Sequence, residues 1–155
     1  MQGFVGYSIT HSSIIVAFRG STHIKNWINN FDAAQIDYSK CSGCVIHRGF
    51  YNGYNTISSF VKAQVQLIAA KYRSAPIHVT GHSLGGALAV VAGLDLHSTF
   101  SKVTLLYTFG QPRVGNAALA AYIATQFPSA YRVIHYADMV VHVPPLNLNY
   151  NHHNH

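Results

Sequence analysis

The apolar positions of the chain sort into two periods. Residues Phe4 to Thr10 and Ser13 to Arg19 read as two extended segments joined by a tight polar turn at His11-Ser12, and the run Ile14-Ile15-Val16-Ala17-Phe18 in the second suits a buried strand. Ile24, Trp27, Ile28 and Phe31 then recur at helical spacing, with Lys25, Asn26, Asn29 and Asn30 opposite, which predicts a short amphipathic helix. From Thr56 to Tyr72 the set Ile57, Phe60, Val61, Val65, Ile68, Ala69 and Tyr72 keeps the helical period, and Pro76 lies just past its end. Beyond that the chain alternates: strand Ile77 to Thr80, helix Leu84 to Leu96, strand Val103 to Phe109, helix Asn116 to Phe127 closed by Pro128, strand Tyr131 to Tyr136. Regular alternation of this kind predicts an α/β fold, a mostly parallel sheet with helices on both faces. Ligands of such sheets bind beyond the carboxyl ends of the strands, here just after Thr80, Phe109 and Tyr136.

Length and composition narrow the picture. At 155 residues the chain holds one core and is too short for two ordinary domains, so residues 1–155 read as a single unit. Only 9% of residues are charged, and the net charge of +6 reflects a shortage of acids: the four are Asp32, Asp37, Asp95 and Asp138. Lys and Arg are scattered singly, with no stripe that could follow phosphates, which argues against nucleic acid and leaves an anionic lipid surface as the partner that weak positive charge would suit. No apolar run approaches the ~20 residues of a membrane span, so stable insertion is not expected, and Met1-Gln2-Gly3-Phe4 lacks the features of a signal peptide. The Cys41-Ser42-Gly43-Cys44 pair has no second cysteine pair to complete a zinc site and does not sit at the strand-to-helix turn of a redox motif. A local disulfide is the better reading, and it points to an oxidising compartment.

The third extended segment runs into Gly81-His82-Ser83-Leu84-Gly85, a G-x-S-x-G turn between a strand and a helix, as in the nucleophile turn of the α/β-hydrolase fold. Glycines flank Ser83 because side chains would collide in so sharp a turn. The helix start behind it favours the negative charge of an acyl-transfer intermediate. A serine nucleophile needs a histidine to take its proton and an acid to orient that histidine, in the chain order Ser, acid, His. Asp32 and Asp37 precede the serine, and Asp95 falls about 18 Å along the following helix at 1.5 Å per residue. Asp138 remains, two residues beyond the last predicted strand. Among the later histidines His142 is too near Asp138 to swing back, and His152 is favoured over His153 and His155; the alternative is that these final histidines form a loose tail or a weak metal-binding tract. The oxyanion amides would come from Leu84 and from Ser21, which follows the strand ending in Phe18-Arg19-Gly20.

These residues resemble the fungal-type class 3 lipase family over most of the chain. Phe18-Arg19-Gly20-Ser21 followed by Ile24-Lys25-Asn26-Trp27-Ile28 is similar to its oxyanion strand and mobile lid, and Cys41-Ser42-Gly43-Cys44 with His47-Arg48-Gly49-Phe50 to a local-disulfide segment of its secreted members. Thr80 to Leu88 resembles its nucleophile turn, and Tyr107 to Asn116 its next strand and loop. Asp138, Pro144-Pro145 and Asn149-Tyr150-Asn151-His152 resemble the family's acid, double proline and final G-Y-x-H, which singles out His152 as the implied base. The sequence departs from the pattern at Val141 and Asn149, where the family has Pro and Gly, and in lacking E-x-W after the histidine. Family members are longer at both ends, so the chain is expected to be a core that is incomplete at both.

The resemblance implies a secreted carboxylic ester hydrolase that needs no metal or organic cofactor. It covers triacylglycerol lipases and feruloyl esterases alike. The strongly apolar side of the lid segment, Ile24, Trp27, Ile28 and Phe31, favours a lipase in transient contact with a lipid–water interface, with His82 beside the nucleophile as a further substrate contact. A soluble-ester esterase is the alternative. Further off stand a non-catalytic lipase-like binding module and a metal-binding protein built on the histidine-rich end.

Overall fold

A computed structural model describes residues 1–22, 32–127 and 129–153. Strands β1 (Gly3–Ser8) and β2 (Ser13–Phe18) form an antiparallel hairpin, and a short pair β3 (Gln35–Asp37) and β4 (Val45–His47) stands apart as a second sheet. Helices α1 (Arg48–Asn55) and α2 (Ser58–Lys71) follow, then β5 (Ile77–His82), α3 (Leu84–Phe100), β6 (Val103–Phe109), α4 (Ala117–Gln126) and β7 (Ala130–Val133). The main sheet has the order β1-β2-β5-β6-β7, parallel from β2 onward. The predicted strand–helix alternation is therefore the observed one. The disulfide Cys41–Cys44 is formed, with its Cα atoms 5.6 Å apart.

Helix α3 is the axis of the core. Gly85 to Leu94 are all buried, as an apolar helix without a polar stripe must be. It packs on the sheet face carrying Ile14, Val16, Val79 and Leu106, each no more than 1% exposed. The same face meets α1 through the edge-to-face pair Phe18–Tyr54 and the end of α2 through the stacked rings of Tyr7 and Tyr72. Phe127, closing α4, packs beside His97 and Gly93 of α3. The mostly parallel sheet packed with helices is the α/β architecture that the sequence pattern predicts. On the opposite face Ile15, His78, Leu105 and Tyr107 are half-buried, and Phe109, Tyr131 and Val133 are exposed.

Two local departures from the predicted elements have clear causes. Helix α1 is absent from the apolar pattern because Arg48-Gly49-Phe50-Tyr51-Asn52-Gly53-Tyr54-Asn55 is poor in helix formers. It is held instead by His47, whose Nδ1 accepts the Phe50 amide at 3.1 Å, and by burial of Phe50 and Tyr54. Strand β7 ends at Val133, three residues before the predicted Tyr136, because the chain turns there: Tyr136 has φ +40° and the Asp138 amide donates to His135 O at 3.1 Å.

Candidate active site

The chain turns from β5 into α3 within one residue. Ser83 is the cap of α3, with φ +56° and ψ −126°, a conformation costing about 1–3 kcal/mol for a residue with a side chain. The turn is fixed by main chain on every side. The Ser83 amide donates to Phe109 O at 2.9 Å, and Ser83 O receives the Gly86 amide at 2.9 Å. A Cβ on Gly81 would fall 2.2 Å from Gly85 O, and one on Gly85 the same distance from Phe18 O. Larger residues at either place would push the strand, the helix or β2 apart. Ser83 itself is 1% exposed, and its Oγ makes no hydrogen bond. A buried hydroxyl without a partner is costly in a purely structural role.

Beside this turn lies the end of β2. A side-chain carbon on Gly20 would sit 3.3 Å from Ser83 Cβ, so the chain at Gly20 runs directly against the Ser83 turn. Ser21 and Leu84 line one shallow depression of about 270 Å³ together with Arg19 and Gln2, whose side chains are hydrogen-bonded to each other. The two residues expected to supply oxyanion amides are thus neighbours, although 62 positions, α1 and α2 among them, separate them in sequence.

Asp138 reaches the same rim from β7. Its Oδ2 lies 2.6 Å from where a Gly110 Cβ would be, and Nε2 of His82 lies 3.4 Å from that point. Gly110 follows Phe109, the residue that binds the Ser83 amide. Asp138, His82 and His135 line one open cleft of about 480 Å³. Asp138 Oδ1 accepts the Val140 amide at 2.9 Å, fixing the carboxylate to its own turn. Two other acids are engaged elsewhere: Asp32 pairs with Arg48 at 2.7 Å, and Asp95 takes the Tyr54 hydroxyl at 2.7 Å and Lys62 at 3.1 Å. Asp32 is held below the usual carboxylate range, first by its hydrogen bond from Arg48.

The hydrogen bonds expected to join Ser83, His152 and Asp138 are not made among the described residues. His152 Nε2 lies 2.7 Å from Val141 O, and its Nδ1 is buried without a partner. The ring is placed by its neighbours. Tyr150 is fully buried and donates its hydroxyl to Ala33 O at 2.9 Å, and the Asn151 amide donates to Gly115 O at 2.8 Å. Burial, with smaller contributions from Arg132 and Arg113, pushes the proton affinity of His152 down to about 4, and its bond to Val141 opposes this in part. A general base works best with a pKa near the operating pH, so this setting keeps His152 neutral and weakly basic. As far as residue 153 the chain is held in place: His153 is 2% exposed and its carbonyl accepts Arg132 Nε at 3.0 Å.

The sequence reading missed Arg113. Its Nη1 donates to His142 O at 2.5 Å and to Pro144 O at 2.7 Å, and its amide donates to Val143 O at 2.9 Å. No periodicity marks a loop arginine whose partners are carbonyls some thirty residues away; the one available signal is a long cation in a sequence otherwise poor in charge. The expected lid residues Ile24, Trp27, Ile28 and Phe31 lie outside the described residues.

Residues 15–148 match the model of a family described as Lipase (class 3). The chain is 36% identical over 149 residues to a secreted mono- and diacylglycerol lipase 1 of Fusarium solani, covering 96% of this chain and 44% of that protein. The solved structure of a Rhizomucor miehei triacylglyceride lipase superposes with a TM-score of 0.90 at 34% identity, covering 97% of this chain and 58% of the other. A structure described as a triacylglycerol lipase with a serine protease triad at its catalytic centre superposes with a TM-score of 0.88 at 35% identity, with the same coverage. The chain spans about half the length of these relatives.

Proposed function

Because the chain belongs to the class 3 lipase family, we propose that it carries the ester-hydrolysing centre of a lipase, with Ser83 as nucleophile and Asp138 as acid. The observation that carries this reading is the Ser83 turn: a serine held at positive φ at the start of a buried helix, its hydroxyl without an internal partner, beside a depression lined by Ser21 and Leu84. In the reaction His152 takes the proton of Ser83 as its Oγ attacks the ester carbonyl, the amides of Leu84 and Ser21 hold the oxyanion, the proton passes to the leaving alcohol, and water, deprotonated in the same way, releases the acid from the acyl-enzyme. With Nε2 at Val141 O, the unpartnered Nδ1 of His152 is the nitrogen free to accept that proton, and the reading is supported by Ser83, Asp138 and the two amides.

Acyl esters presented at a lipid–water interface are the proposed substrates, in line with the names of the relatives, and the formed disulfide accords with secretion. Hydrolysis of p-nitrophenyl esters from acetate to palmitate, beside methyl ferulate, with Ser83→Ala as the blank, tests both parts. Preference for long chains above their solubility limit fits a lipase; preference for methyl ferulate would transfer the chain to the soluble esterases. Failure of Ser83 to take a covalent organophosphonate would remove the proposal and leave a non-catalytic module.

A further inference from the structure

Asp138 does not project from a strand or a long helix. It begins a short unit closed only on itself: Val140 donates to its side chain, His142 N to Met139 O at 3.1 Å and Val143 N to Val140 O at 3.2 Å. A unit with only such local bonds has no sheet neighbour to fix its height over the nucleophile. Its polar attachment comes from outside, through four successive carbonyls. Val141 O meets His152, His142 O and Pro144 O share the Arg113 Nη1 group, and Val143 O takes the Arg113 amide.

Arg113 is the unusual member of this set. It is 9% exposed, makes no ion pair among the described residues, and leaves its Nε buried without a partner. A buried guanidinium hydrogen-bonded to neutral carbonyls and close enough to Arg132 to repel it is a poor device for stability, since an apolar side chain of similar volume commonly serves as well or better. What an apolar side chain could not do is hold two carbonyls at fixed positions with one nitrogen. The loop that carries Arg113 also begins at Gly110, against which the Asp138 carboxylate lies. One loop thus touches the acid at one end and grips the segment behind it at the other.

We propose that Arg113 is a positioning residue for the acid: by gripping the carbonyls of His142 and Pro144 it fixes the turn from which Asp138 projects, and so sets where the carboxylate stands in ester hydrolysis. This rests on Asp138 being the acid. A double-mutant cycle separates the two claims. With active sites titrated by an organophosphonate, R113M is expected to lower kcat per site by about 10- to 100-fold with little change in KM, and R113K to recover part of the loss. In a D138N background the same R113M change should add less than twofold, because the group it positions is already gone. Equal losses in both backgrounds, or a lower Tm with kcat per titrated site unchanged, would overturn the proposal. If R113M does not yield folded protein, R113K carries the same comparison. A readout independent of turnover is available because the chain has only four acidic side chains. The 13C carboxyl resonance of Asp138 should move in R113K while those of Asp32, Asp37 and Asp95 stay; an unmoved Asp138 resonance would refute the proposal even if Ser83 proves inactive. Loss of activity in D138N is required by the acid assignment itself, so a fully active D138N defeats that assignment without involving Arg113.

Discussion

The turn that carries Ser83 and the turn that carries Asp138 meet at one rim but are held by opposite means. Around Ser83 the constraint is main chain against main chain: two glycines whose missing side chains admit the crossing of β2, β5 and α3, and hydrogen bonds from the Ser83 amide to Phe109 O and from the Gly86 amide to Ser83 O. Around Asp138 it is side chain against main chain, with Arg113 and His152 reaching in from distant positions. The first kind of site tolerates no added atom and needs no particular partner. The second tolerates small changes of shape but depends on which distant side chain is present.

Four experiments sharpen or break that contrast, from the largest effect down. Ser83→Ala should remove at least about 10⁴-fold of ester hydrolysis while leaving the fold intact, since only the unpaired Oγ is lost; circular dichroism beside the p-nitrophenyl assay checks both halves. Gly85→Val should unfold the chain or cost more than about 4 kcal/mol by urea titration, because its Cβ would lie 2.2 Å from Phe18 O; a value under 1 kcal/mol would mean that the crossing is softer than drawn. His152→Gln should lower Ser83-dependent turnover almost as far as Ser83→Ala if its Nδ1 takes the serine proton, whereas turnover within about tenfold of the parent would leave the ring only its bond to Val141. The smallest effect concerns pH. Burial pushes both His47 and His152 from 6.5 to about 4, so the folded state favours their neutral forms. Their stabilising contribution is complete above about pH 6.5 and is lost as the pH falls toward 4, because the unfolded chain takes up protons first. Melting temperature should therefore fall across that window, and H47N/H152Q should flatten the slope.

Much of the first region was legible in the sequence and little of the second. The spacing of glycines around Ser83, the run before it and the apolar stretch after it are local, so a reading of neighbours finds them. Elimination points to Asp138 because acids are so few, and Asp95 is taken up by Tyr54 and Lys62. Motif spacing points to His152, but spacing along the chain does not say which carbonyl its ring will meet. Tyr150 and Asn151, tied to Ala33 and Gly115, decide that at long range. Helix α1 escaped for a similar reason: its cap and its buried aromatics stabilise it, and its own propensity does not.

The conformation of Ser83 has a consequence for the history of the molecule. Glycine would adopt φ +56° with ease, and it would also remove the buried hydroxyl that nothing satisfies, so the inactive replacement is the more comfortable one for the chain. A library of variants selected for heat resistance alone should therefore surrender the nucleophile early. In the role proposed for Ser83, only selection for turnover would keep the serine in place, which would make this single backbone angle a record of use.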